Sequence, residues 1–270
     1  MLITFSGLAL GGIVAGFFGS LLGLGGGIFI IPMLNLIFGV EMRSAVAASL
    51  VAVIATSSAA ASVYVQERLS DIRLGMTLEL ATTVGAIVGG LLAGRLPREA
   101  LTVLFGLLLL YTAVSMVRNT PAQGNNGSPS RDNSRKKLVP EYQVRNLSVG
   151  LGASFFAGNI SGLLGVGGGL IKVPVMYLSM GVPLKVATAT SNFMIGVTAA
   201  ASAFIYYSRG DLDLLVAGPV VLGVFLGART GSRIMHQVRT AYLKWFFVGV
   251  LFYTAMQMLL KGFNIHALWF

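Results

Sequence analysis

Apolar residues in this 270-residue chain fall into long blocks separated by short polar turns. Five blocks come before residue 118: Ile3–Leu22, Ile28–Phe38, Ser44–Tyr64, Leu74–Leu96 and Ala100–Val117. Five more follow residue 146: Leu147–Leu164, Leu170–Met180, Val186–Tyr207, Leu214–Met235 and Ala241–Leu260. Most approach or exceed the roughly 20 residues that span a hydrocarbon core about 30 Å thick. They are rich in Ala, Leu and Gly and lack two-residue alternation, so they predict helices and not the strands of a barrel. The expected fold class is an all-α polytopic membrane protein.

The blocks form two copies. An offset of 142 positions aligns Gly16–Pro32 with Gly158–Pro174, both carrying Leu-Leu-Gly-x-Gly-Gly-Gly. Without a gap, the same offset pairs Ser49 with Ser191, Tyr64 with Tyr206, Asp71 with Asp213 and Tyr111-Thr112-Ala113 with Tyr253-Thr254-Ala255. Residues 1–118 and 147–270 are therefore read as transmembrane repeats 1 and 2. Residues 119–146, polar, basic and rich in Asn, Ser, Pro and Gly, are read as a mobile linker outside the membrane. Repeats of this kind build many secondary transporters.

Charge sets the expected orientation. Only 10% of residues are charged, against about 25% in soluble domains, and the mean hydropathy is +0.82. The net charge of +10 collects in turns and in the linker, a topology signal and not a nucleic-acid patch. The positive-inside rule puts the linker, Arg68/Arg73, Lys185 and Arg239/Lys244 in the cytoplasm, with Arg43, Arg95/Arg98, Arg209 and Lys261 outside. That distribution requires an odd number of crossings per repeat, so the second repeat is expected to be inverted. The segment Met1–Leu22 has no basic leader and reads as a retained helix. The expected location is a bacterial cytoplasmic (inner) membrane, with the lipid bilayer and a small anion as partners and a second copy of the chain as an open possibility.

No cysteine is present, and His236 and His266 lie far apart, so no thiolate, metal or histidine-based catalytic cluster is predicted, and no cofactor. The two Gly-rich runs do not follow strands and lack the Gly-Lys-Ser/Thr of a phosphate loop. An enzyme is not expected.

The Gly-rich runs predict helix breaks. Ile28–Phe38 and Leu170–Met180 have eleven residues each, about 16 Å of helix or half a membrane. Gly25-Gly26-Gly27 and Gly167-Gly168-Gly169 precede them, and each contains a proline, expected in the first turn of the half-helix. Irregular backbone at membrane depth persists where it lines a cavity or is buried in protein. A helix N-terminus opened there presents N–H groups that suit an anion. Close helix packing through small residues is the competing explanation.

These motifs, with Ala189-Thr190-Ser191 after the second and a later Gly-Ala-x-x-Gly, resemble the TauE/SafE sulfite exporter family of membrane permeases. The resemblance covers nearly the whole chain outside the linker. It implies transport of sulfur oxyanions or organosulfonates such as sulfite, sulfoacetate or sulfolactate. The first repeat departs from the pattern at Ala48, which lacks the hydroxyl of Thr190.

Matched positions that differ mark candidate recognition groups. Phe17, Gly19, Ile30, Val46, Ala48 and Leu50 face Asn159, Ser161, Lys172, Thr188, Thr190 and Asn192, every change placing a polar group in repeat 2. Polar groups in a bilayer usually address a cavity or a partner. The candidate substrate-binding set is thus Gly25, Gly26, Gly27, Ser49, Asn159, Gly167, Gly168, Gly169, Lys172, Thr190, Ser191 and Asn192. Lys172 either holds the anion as a point charge or snorkels to the headgroups. Because repeat 1 carries Ile30 there, Lys172→Ile is expected to leave folding intact. Glu79, the one carboxylate clearly inside an apolar block, is the candidate for coupling, with an ordinary ion pair as the alternative. Arg229 and Arg233 either line an anion path or mark a helix end. The expected function is secondary transport of a small anion by alternating access, with a passive anion channel or a carriage of non-sulfur carboxylates as the alternatives.

Overall fold

A computed structural model describes residues 2–118, 142–234 and 240–263. Ten α-helices and one π-helical turn make up the described chain: α1 Leu2–Leu22, α2 Gly27–Pro32 with the π turn Met33–Ile37, α3 Met42–Gln66, α4 Ile72–Ala93 and α5 Arg98–Arg118 in the first repeat. In the second lie α6 Leu147–Leu164, α7 Gly169–Leu178, α8 Leu184–Ser208, α9 Leu214–Ile234 and α10 Thr240–Gly262. Five of them, α3, α4, α6, α8 and α9, are each long and apolar enough to cross a membrane. Large apolar side chains such as Leu80, Leu91, Phe204, Leu215 and Leu222 are exposed around the outside. A soluble monomer does not carry so wide an apolar surface; a bilayer covers it.

The half-helices fold back on their neighbours. Gly7 lies against Phe38 and Gly11 against Met33, so α1 and α2 form a hairpin that enters and leaves at the same end. The N-terminal ends of α2 and α7 meet in the interior, and their C-terminal ends point to opposite ends of the bundle. Pro32 and Pro174 sit in the sixth position of their helices, not in the first turn. A proline there removes an i→i−4 bond. After Pro32 the chain passes directly into the π turn, so Ile28–Phe38 is not one regular α-helix.

The two repeats interlock. Glycines let backbones touch: Gly223, Gly227 and Gly231 of α9 lie against Ala9, Ile13 and Phe17 of α1, whereas Gly158 and Gly162 of α6 lie against Thr82 and Ala86 of α4. Each repeat thus packs its first helix, in parallel, along the fourth of the other. The equivalent helices α5 and α10 pack antiparallel, with Gly106 on Leu259 and Gly262 on Val103.

Polar ties gather at the two ends. At one, Arg43 donates to the Leu96 carbonyl at 2.8 Å, Arg98 pairs with Glu41 at 2.7 Å and Arg209 donates to the Gly90 carbonyl at 2.7 Å. At the other, the Asp71 carboxylate caps α4 by accepting from Leu74 N–H at 2.9 Å and accepts from the Tyr142 hydroxyl at 2.5 Å. There, too, Arg145 N–H donates to the Met180 carbonyl and Asn146 to the Ser179 carbonyl, so the last residues of the segment read as linker are held to the bundle. The rest of that segment, residues 119–141, and both histidines lie outside the described residues.

Candidate functional site

The two breaks cross one another at the centre. Gly23, Gly25 and Gly26 have φ of 71°, 75° and 79°, and Gly165, Gly167 and Gly168 have 70°, 79° and 74°, a left-handed backbone that only glycine adopts freely. The crossing is stapled by matched hydroxyls. Ser49 donates to the Gly165 carbonyl at 3.0 Å, and its counterpart Ser191 donates to the Gly23 carbonyl at 3.2 Å. Further out, Tyr64 donates to the Ser20 carbonyl and Tyr206 to the Gly162 carbonyl, each at 3.2 Å. Four side chains thus hold the irregular backbone through the same contacts in both repeats.

Close packing is part of the glycines' role. A Cβ on Gly27 would lie 2.5 Å from the Gly165 carbonyl oxygen and 2.9 Å from Ser49 Oγ, and one on Gly169 would strike the Gly23 carbonyl. The break also leaves donors over. Gly25, Gly26, Gly27, Gly167, Gly168 and Gly169 are buried, and among the described residues none of their N–H groups donates a hydrogen bond. Buried N–H groups without partners are rare in native proteins. Runs of such groups on a left-handed turn are the backbone form of an anion site.

Lys172 stands one turn into α7 and is 1% exposed; it does not snorkel. Its stem folds back toward the break, with Cε 3.2 Å from where a Cβ on Gly168 would be. Its ammonium lies 3.3 Å from Glu79 Oε2 and 3.2 Å from Thr198 Oγ1. Thr198 and Thr83 both donate to Glu79 Oε1, at 2.5 and 3.3 Å. One ammonium and two hydroxyls therefore surround a single carboxylate. α4 brings Glu79, α7 brings Lys172 and α8 brings Thr198, all next to the second break.

The other candidates spread out from this centre. Asn192 is fully buried and donates to the Ser20 carbonyl at 3.3 Å and the Thr188 carbonyl at 3.2 Å, while its Oδ1 has no partner. Ser161, also buried, has an unpartnered Oγ. Thr190 accepts from Asp71 N–H at 2.9 Å and so ties α8 to the start of α4. Asn159 is half-buried on α6, where its backbone meets Gly85 and Gly89. Arg229 and Arg233 are exposed near the end of α9. Thr198 was not singled out from sequence. The 142-residue offset could have pointed to the whole cluster: Lys172, Glu79 and Thr198 correspond to Ile30, Val221 and Thr56, so both charges are absent from the repeat-related place. Among the described residues, no group of three His, Asp or Glu could hold a metal ion.

Re-entrant half-helices, crossed Gly-rich breaks and an exposed apolar surface define a polytopic α-helical membrane transporter. Residues 8–258 match the family described as Sulfite exporter TauE/SafE, and the chain belongs to that family. A probable membrane transporter protein of Bacillus subtilis, YunE, is 28% identical, the match covering 93% of this chain and 96% of the relative. A probable membrane transporter protein of Methanocaldococcus jannaschii is 24% identical over 92% of this chain and 93% of its own. Sulfite exporter TauE/SafE family protein 5 of Arabidopsis thaliana is 27% identical over 38% of this chain and 22% of its own. No solved structure matches the chain.

Proposed function

We propose that the protein is a secondary transporter of a small sulfur-containing anion, sulfite or an organosulfonate, which it carries by alternating access and binds where the two breaks cross. The observation that carries this reading is the ammonium of Lys172, buried in the first turn of α7 beside Gly167, Gly168 and Gly169, whose N–H groups have no partners among the described residues. A cation and free backbone donors at one buried spot fit a compact oxyanion. Sulfur enters through the family, whose description names sulfite.

The second repeat is proposed to be inverted in the membrane. Equivalent helices α5 and α10 run antiparallel, which supports a two-fold axis lying across the helices. The charge distribution agrees. Leaving Lys172 and Glu79 aside, and among the described residues, the end with Arg43 and Arg209 carries five basic and four acidic residues, and the end with Arg73 and Arg145 carries eight and two. The second end is therefore the cytoplasmic one.

A ligand screen on the purified protein tests the reading. Sulfite, thiosulfate and small sulfonates are expected to raise the unfolding temperature, and simple carboxylates, cations and neutral sugars are not. Stabilisation by cations or sugars alone contradicts it.

A further inference from the structure

We propose that Glu79 is an internal substitute for the substrate anion, and that its displacement from Lys172 couples each transported anion to one proton. This rests on the proposed anion site and adds the coupling ion and its acceptor. The cluster already shows what an anion receives at this place: one ammonium from Lys172 and hydroxyl hydrogens from Thr198 and Thr83, all directed at one carboxylate. A sulfonate or sulfite offers similar oxygens and charge. The two anions compete for one buried ammonium, so an arriving substrate releases Glu79.

Among the described residues, a released carboxylate at this depth has no second cation. α6 carries no titratable residue, and α7 has besides Lys172 only Tyr177, near its far end. On α8, Lys185 is at the beginning and Tyr206 and Tyr207 are near the end; on α4 itself, Arg73 is exposed at the beginning. An uncompensated carboxylate in such surroundings takes up a proton. The balance is one anion and one proton entering together, with no net charge moved. When the anion leaves, Glu79 returns to Lys172 and gives up its proton on the side then open. Ile30 and Val221 stand at the positions equivalent to Lys172 and Glu79, so the repeat-related place offers no second proton site and the ratio is one to one.

Calorimetric titration of the full-length protein with ethanesulfonate decides the matter, because that probe keeps its own charge across the pH range. Measured in buffers of different ionisation enthalpy, wild-type protein is expected to take up about one proton per sulfonate bound, with affinity falling about tenfold per pH unit above neutrality. Glu79→Gln is expected to bind more tightly and independently of pH, since a neutral amide competes weakly for an ammonium. Binding without proton uptake overturns the coupling and leaves the transport reading standing, as does equal proton uptake by Glu79→Gln. If wild-type protein binds neither ethanesulfonate nor sulfite, both fall. Should Glu79→Gln not fold, the wild-type pH slope decides alone, and a flat profile overturns the proposal.

Discussion

Lys172 and Glu79, 93 residues apart in the chain, form a buried ion pair at 3.3 Å, whereas the equivalent positions in the opposite repeats hold Ile30 and Val221. The protein therefore contains two solutions for one packing position, one charged and one apolar. Removing one partner of a buried pair leaves an uncompensated charge and costs about 3–5 kcal/mol, while replacing both with apolar residues is often neutral.

The first prediction follows. Lys172→Ile alone and Glu79→Val alone should each lower stability by about 3 kcal/mol or more, and the double variant should recover to within about 1 kcal/mol of wild type. Unfolding of the purified proteins in detergent reads this directly. Comparison of the repeats had suggested that Lys172→Ile would be tolerated by itself. The structure gives a reason against that expectation: Lys172 is paired with Glu79, whereas the position equivalent to Glu79 is Val221.

Much of the fold was legible in the sequence, and the limits of that reading have physical causes. The offset of 142 carried the repeat, the ten helical blocks and both breaks, since unbroken apolar runs and glycine triplets leave few alternatives. Ser49 and Ser191 were also legible as a matched pair. Their job of stapling the opposite break was not, because it depends on which repeat crosses which. Thr198 stayed hidden for a similar reason: Thr56 occupies the equivalent place, so a comparison built on differences passes over it. The position of the prolines was misjudged because a preference for the first turn says nothing about a half-helix that changes to π geometry after Pro32.

The second prediction concerns the breaks. Gly27→Ala would press a methyl group on Gly165 and Ser49, and Gly168→Ala would place one on the Ala157 carbonyl at 3.0 Å with φ of 74°. Each should destabilise by about 1–3 kcal/mol through overpacking or left-handed strain. Gly152→Ala in α6, where nothing lies within 4 Å, should be neutral or stabilising by up to about 1 kcal/mol. Equal losses in all three would refute the assignment of tight crossing to Gly27 and Gly168.

The third prediction is topological. Gln66 and Ser208 are equivalent residues at the exposed ends of α3 and α8, and the chain has no native cysteine. Gln66→Cys should react with a membrane-impermeant maleimide only from the cytoplasmic face, and Ser208→Cys only from the outer face. Labelling of both from one face would mean that the repeats are parallel.

The central claim is carrier-type transport of a sulfur-containing anion through Lys172, and counterflow in proteoliposomes tests it most directly. Vesicles loaded with unlabelled sulfite should transiently accumulate labelled external sulfite above equilibrium, with a rate that saturates. Vesicles carrying the folded Lys172→Ile/Glu79→Val double variant should show no accumulation. Flux that rises linearly with concentration and shows no overshoot would make the protein a channel, and full counterflow by the double variant would remove Lys172 from the site.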